Sequence, residues 1–570
     1  MRYIAFIGGY IRFMREEQLY LLCLCFSAFS GYIMLVVFVI GRVLEVNVVR
    51  KDWRKVDLRF AFVYPNVYRV GMSSFATQLL YFLLNSREDV VCERCFLPYQ
   101  KKIIPSSLES GRNLREFDVV GFSLQFETDY VNVVDMLRRS GIPLHSKDRS
   151  KEDPLIIAGG PCAWENPEPI SDFIDLFVIG DAEAVMDRFI DLFLETRNPR
   201  ENLEVFADIE GVYVPSLGRH SVKRAWVKSL DDCPHPVAEI VPQVDENSPF
   251  APVFGKSFLL EVVRGCNRGC RFCLIGFQNR PMRIRGFEVL KGLVDRGPKF
   301  SRVRKVSLIG SAISDHPDFE DLCWYIVNSG FDISVPSLRV DGFSESIAEA
   351  LVKGGQKTVT FAPEAGTFRL RKVVKKPFTE EQILYAVATA KKCGIKRVKL
   401  YFVVGLPGEG EDDLWGIVDL IRKVIKLGYS PSELHVSFTP FIPKPHTPFQ
   451  WLAQFSLKEL DKRLKFIIKN LKALGLNYVD YLDPRWAKIQ AALSLGDRKL
   501  GKIIEYVAEH GGGLGAWRRA QKTFGINLTD YSDEVKDLDK ELPWSHIDVG
   551  VDKIFLIGEY ERSLEKNKNE

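Results

Sequence analysis

The chain has 570 residues, 46% of them hydrophobic, and carries a net charge of +4. That length exceeds one ordinary core, and the apolar content is enough for two or three, so several domains are expected. So small a net charge on a chain this long does not by itself announce a nucleic-acid binder.

Residues 19–41 contain no charged side chain, and Arg42, Arg50, Lys51, Arg54 and Lys55 follow them. This pattern fits a membrane-spanning anchor with a cytoplasmic body. It also fits a true start at Met34, or an apolar segment packed on another domain. A cleaved signal peptide fits poorly, because the apolar stretch is too long.

From Asp57 to Pro242 short apolar runs alternate with amphipathic stretches, the pattern of a parallel sheet with crossover helices. Strands are expected at 58–64, 119–124, 155–158 and 176–179, with helices at 73–84 and 131–140. Their carboxyl ends, rich in small and polar residues, are where a doubly wound sheet places a ligand. A second strand-helix series follows. Strands are expected at 303–309, 333–335, 359–361, 397–404 and 434–438, each opening into a polar or Gly/Pro turn, which describes an incomplete β/α barrel. Beyond the proline-rich exit 439–449, residues 457–474 and 486–507 are expected as helices, 511–513 as a flexible break, and 542–548 as a segment that closes over the site or docks the tail. The fold class expected is therefore α/β. A segment 1–55 precedes a Rossmann-type domain 56–245, a partial barrel 246–451 and a mostly helical region 452–570.

The chemistry concentrates at Cys266, Cys270 and Cys273, spaced Cys-x3-Cys-x2-Cys. Three thiolates at this spacing can hold a cubane iron-sulfur cluster and leave its fourth iron open. A zinc site wants a fourth ligand nearby, and no His lies between Ala251 and His316. An odd triplet cannot pair internally as disulfides. With Phe272 just before the third cysteine, the segment resembles the signature of the radical SAM superfamily. The resemblance implies a [4Fe-4S] cluster whose open iron chelates S-adenosylmethionine (SAM), a reductant such as ferredoxin or flavodoxin, and a 5'-deoxyadenosyl radical that takes hydrogen from an unactivated carbon. It also places SAM contacts at Phe272 and at strand ends: Gly310 and Ser311 where relatives carry Gly-Gly-Glu, Ser337 and Arg339, Glu364, and Gly405 and Pro407 in a Gly-x-Pro-Gly-Glu turn.

The upstream turns resemble the cobalamin-binding domain fused to many such enzymes. The family's Asp-x-His-x-x-Gly falls on Asn66, Tyr68 and Gly71, so the usual histidine is replaced and any bound cobalamin lacks an imidazole on its lower face. Ser123, Gln125, Gly159, Gly160 and Glu183 complete the cobalamin set that the resemblance implies. The implied activity is cobalamin-dependent methyl transfer to an unactivated carbon. Radical carbon-carbon joining or cyclisation of a lipid-like substrate is the alternative, and a cobalamin-fold sensor with a structural cluster is the reading from another class. Methylthiolation would call for three further cluster cysteines upstream, where only Cys92 and Cys95 stand close together. Six arginines between Arg264 and Arg285 read as a solvated rim or as a landing site for an anionic partner. No aromatic-basic motif supports RNA.

Overall fold

A computed structural model describes residues 43–568. The apolar stretch 19–41 lies outside them. No helix among the described residues is long and apolar enough to cross a membrane.

The first sheet contains β1 (Leu58–Tyr64), β2 (Val90–Phe96), β3 (Val119–Ser123), β4 (Leu155–Gly159), β5 (Leu176–Val178) and β6 (Val212–Tyr213). Its order is β2-β1-β3-β4-β5-β6, parallel except for the last strand. The chain reverses direction of build between β1 and β3, which opens a crevice at their carboxyl ends. Helix α1 (Phe75–Asn85) covers one face, and α2 (Tyr130–Arg139) lies on the other. β2 escaped the pattern reading because Glu93 and Arg94 interrupt its apolar run. Both are buried in the structure. Arg94 is wholly enclosed, binding Glu45 through two nitrogens at 2.7 and 2.9 Å and Glu109 at 2.7 Å.

Cys92 and Cys95 sit three residues apart on this strand, so their side chains leave opposite faces. Cys92 packs with Leu58 and Tyr81 under α1, and Cys95 with Phe122 and Val133 across the sheet. They cannot ligate one metal.

The barrel strands are β7 (Phe258–Glu261), β8 (Lys305–Ile309), β9 (Asp332–Ser334), β10 (Ser337–Leu338), β11 (Thr358–Glu364), β12 (Arg397–Val404), β13 (Leu434–Pro440) and β14 (Tyr478–Tyr481). All pairings are parallel, but they form two sheets, β7-β8-β9 and β10 to β14. The division falls at Val335-Pro336, where proline has no N–H to continue a ladder. Alternation along β12, with Val398, Leu400, Phe402 and Val404 buried, supplies one side of the common core.

The C-terminal region is helical: α3 (Leu457–Ala473), α4 (Pro484–Leu495), α5 (Leu500–Glu509), α6 (Leu514–Phe524) and α7 (Lys553–Lys568). The single helix expected over 486–507 is two. Gly496 is extended, and a Cβ there would lie 2.1 Å from Leu500, so the chain turns sharply before α5. Helices α4 to α6 do not pack as a separate unit. Ile489, Ile503 and Trp517 join the core of the first sheet with Val134 and Ile156, so the last part of the chain completes the first domain. The segment 542–548 docks: Trp544 is buried with its indole N–H donating to Gln450, and Ile547–Asp548 pairs with Val222–Lys223.

Replacing Arg94 with Met would leave Glu45 and Glu109 buried without a counter-charge, a loss of about 3–5 kcal/mol. The midpoint of denaturant unfolding should fall accordingly, and an unchanged midpoint would refute this account of the pair.

Candidate functional site

The three-cysteine loop leaves β7 and is held from both sides by its own arginines. Arg264 binds Glu261 at the end of β7 at 2.8 Å, and reaches Glu183 at 2.8 Å and Asp181 at 3.2 Å in the first domain. Arg283 also binds Asp181. Burial opposes charge on Asp181, yet the two guanidiniums hold its carboxyl below the usual carboxylate value. Arg268 pairs with Asp315 at 2.8 Å, Arg271 with Glu559 of α7 at 3.1 Å, and Arg285 with Glu261 at 3.3 Å. Arg280 donates to the Asn267 carbonyl at 3.2 Å and lies over the Phe277 ring. The six arginines are thus scaffolding of the loop. Arg271, Arg283 and Arg285 are buried, whereas Arg268 keeps an exposed side chain beside its carboxylate.

Gly265 has φ +86°, and a Cβ there would come within 2.1 Å of the Asn279 carbonyl oxygen, so only glycine allows the chain to turn this tightly. The Cys273 amide donates to the Cys270 carbonyl at 2.9 Å. Burial pushes the Cys270 thiol up to about 12 and raises Cys273 as well. Buried thiols of this kind ionise when a metal takes them, which suits a cluster that supplies strong positive charge. The donor set therefore fits a [4Fe-4S] cluster with one iron open.

Around this loop stand the barrel's strand ends. Gly310 follows β8 directly, with a would-be Cβ 2.7 Å from the Val263 carbonyl oxygen, and Ser311 beside it is exposed. Glu364 ends β11 at φ +67°, after a register irregularity, and its carboxylate meets Lys376 at 2.8 Å. Both Glu364 and Lys376 act electrostatically on Cys270. Lys376 was missed in the sequence because only the fold brings it back to the strand end. Ser337 is exposed, whereas the Arg339 guanidinium is already engaged by Asp341 at 2.7 Å and Asp315 at 3.8 Å. It shares Asp315 with Arg268, which couples it to the cluster loop. Gly405, at φ +82°, gives its amide N–H to the Glu409 carboxylate at 3.0 Å, and a Cβ would strike Leu460 of α3. That glycine is explained by packing, and Pro407 follows it half-buried in the same turn.

Two cavities flank the loop. The first, about 360 Å³, lies between α1 and the first sheet. Phe60, Phe62, Gly121, Ile157 and Leu80 form its apolar walls, and Ser123, Gln125, Gly159, Gly160 and Glu183 stand among its lining residues, with Arg264 and Asn279 from the barrel side. The other three upstream candidates sit elsewhere. Tyr68 is buried against Phe96 and Phe250 with its hydroxyl donating to Glu45 at 2.7 Å, Gly71 packs on the Phe96 ring, and Asn66 donates to Asp129 at 2.9 Å. None of the three lines this cavity, so their motif positions do not face a cofactor there. The slot combines apolar walls with a few polar and charged residues and has no histidine among its lining residues, which fits the nucleotide tail of a corrinoid that has no protein imidazole on its metal.

The second cavity, about 920 Å³, is bounded by Phe272, Cys273 and Leu274 of the loop, by Thr439 to Lys444 after β13, by the start of α2, and by α4 and α6. Lys444 binds both Glu127 and Glu165, the latter at 3.1 Å. Burial lowers its ammonium to about 7 and raises Glu165 to about 8. Glu127, Cys162 and Glu165 bring their ligand atoms within 4.8 Å of one another, but the Lys444 ammonium is bound to both carboxylates. No sequence spacing announces this cluster, since its members come from three distant segments.

Comparisons with known proteins agree with this geometry. Residues 76–215 match the family described as radical SAM proteins, N-terminal, and residues 260–421 the radical SAM superfamily. An uncharacterized protein of Methanocaldococcus jannaschii is 35% identical over 448 residues, covering 78% of this chain and 90% of its own. An uncharacterized methyltransferase of Pyrococcus horikoshii is 25% identical over 280 residues, 48% of this chain and 59% of its own. Among solved structures, the radical S-adenosylmethionine methyltransferase TsrM of Kitasatospora setae, with tryptophan and a SAM analogue bound, shares the fold at a TM-score of 0.52 and 14% identity. That likeness covers 82% of this chain and 99% of the other.

Gly159 and Gly160 separate packing from tolerance. At Gly160, φ is +101° and a Cβ would lie 2.6 Å from the Leu124 carbonyl oxygen, whereas at Gly159 it meets nothing closer than 3.6 Å. Gly160→Ala should cost about 1–3 kcal/mol of stability, and Gly159→Ala should be near neutral, both read from denaturant midpoints. Equal effects would overturn this assignment.

Proposed function

We propose that this chain, which belongs to the radical SAM superfamily, is a corrinoid-assisted methyltransferase acting on an unactivated carbon. The observation that carries the reading is that the cluster loop and its flanks border both cavities. Arg264 and Asn279 line the small slot, and Phe272 and Cys273 line the large one. When bound, the cluster and SAM supply a carbon radical able to remove hydrogen from an unactivated position, and a corrinoid supplies a methyl carrier.

The chain's own residues provide the setting. Cys266, Cys270 and Cys273 hold the metal, and Gly310, Glu364 and Lys376 stand at the strand ends beside it. The slot under α1 holds the corrinoid tail, and aromatic walls keep bulk water and stray hydrogen donors out of the large cavity. The printed name of the P. horikoshii relative and the fold of TsrM support methyl transfer. Methylthiolation has less support, because Cys92 and Cys95 leave opposite faces of β2 and cannot help bind a second cluster.

Anaerobic reconstitution should give about four irons per chain. The reduced protein should then convert SAM to 5'-deoxyadenosine, and the triple Cys266/Cys270/Cys273→Ala variant should form none. Deoxyadenosine from that variant would sink the site assignment. Methyl transfer predicts S-adenosylhomocysteine as a second product once corrinoid and substrate are present, and its absence would leave another radical outcome in place of methylation.

A further inference from the structure

The walls of the large cavity carry a chemical bias that the family reading does not specify. Lys444 is the one cation among its lining residues, and its ammonium is already bound by Glu127 and Glu165. Glu127 and Glu165 meet that single ammonium from behind the lining, and Asp129 is the acidic residue among the lining residues themselves. An anionic substrate group would find no free positive partner there.

The two amide side chains on the wall are turned the same way. Asn132 uses its Nδ2 to donate to the Pro65 carbonyl at 2.9 Å and to Asp129 Oδ1 at 3.2 Å. Gln490 uses its Nε2 to donate to Glu127 Oε2 at 2.9 Å. With their amino groups committed behind the wall, both amides have carbonyl oxygens that no protein group engages among the described residues. Asp129, 3% exposed, adds an Oδ2 with no partner. The Trp517 indole N–H is the buried donor on this wall that also lacks one. Unpartnered carbonyl and carboxylate oxygens thus mark this part of the wall, and much of the remaining lining is apolar, with Phe272, Phe441, Trp486 and Trp517 in place to cover an apolar body.

We propose that this cavity binds an uncharged or amine-bearing substrate with a largely apolar body, whose N–H or O–H groups are read by the side-chain carbonyls of Asn132 and Gln490. Phosphorylated and carboxylated molecules are rejected because the one cation among the lining residues is already engaged by Glu127 and Glu165. The assignment rests on the reading above for what becomes of the substrate, since the chamber is bounded by Phe272 and Cys273, but binding itself requires no turnover.

A matched pair of probes tests it: 2-phenylethylamine and 3-phenylpropionate, similar in size and opposite in charge. Titration calorimetry on the cluster-reconstituted full chain, without SAM, should show the amine binding at least about tenfold more tightly than the carboxylate. Gln490→Met keeps the shape and removes the carbonyl, and should weaken the amine about tenfold while leaving the carboxylate unchanged. Equal affinities, tighter carboxylate binding, no detectable amine binding, or an amine affinity indifferent to a folded Gln490→Met each overturn the proposal. If that variant does not fold, the wild-type preference decides alone. Deoxyadenosine formation alongside failed amine selectivity rejects only the substrate class. Amine selectivity without SAM cleavage rejects only the radical reading.

Discussion

Asp181 carries the structure. It lies just past the end of β5, in the first domain, and binds two arginines that bracket the cysteine loop of the second. Buried ionic contacts of this kind add little net stability over apolar packing, but they tolerate almost no displacement, because a charge moved out of register is left without a partner. Glu183 and Glu261 complete the same junction around Arg264. The relative placement of slot, loop and chamber is therefore fixed by electrostatic register together with the apolar contact of Phe75 and Leu79 with Leu259, and a site assembled from two domains keeps a defined geometry.

Much of the architecture could be read along the chain because local patterning and global fold agree there. The runs 58–64 and 397–404 are strands over those very residues, since each is apolar or strictly alternating and ends in a turn signal. The cysteine triplet was equally legible, because its spacing is itself the chemistry. What stayed hidden depends on partners far away. β2 reads as charged until Glu45 and Glu109 are seen to neutralise Arg94, and the break at Gly496 reflects a close approach of Leu500 that periodicity does not register. The motif at Asn66, Tyr68 and Gly71 shows the opposite hazard. Its spacing resembles a ligand turn, yet burial has turned Tyr68 towards Glu45 and filled the space beside Gly71 with Phe96.

The basic cluster around the loop teaches a related lesson. Counted along the sequence, six arginines suggest a surface that attracts anions. In space nearly every one meets a carboxylate or a backbone carbonyl, because a tight loop with buried thiols leaves many carbonyl groups to satisfy and guanidinium offers five donors to do it. Charge density in a sequence thus reports the demand for hydrogen bonds as readily as it reports a field outside the molecule.

The pairing of Arg271 with Glu559 sets an order of assembly. Glu559 belongs to the last helix, and it also binds Lys375, next to the strand-end lysine that faces Cys270. During synthesis the cysteine loop emerges almost three hundred residues before this latch, so the barrel strands can gather around it while one side of the loop is still open. The last helix therefore braces that side of the loop only after the rest of the site has formed. Loosening that helix would slacken one side of the cysteine loop without touching the thiols themselves, so the far end of the chain bears on how firmly the loop holds its shape.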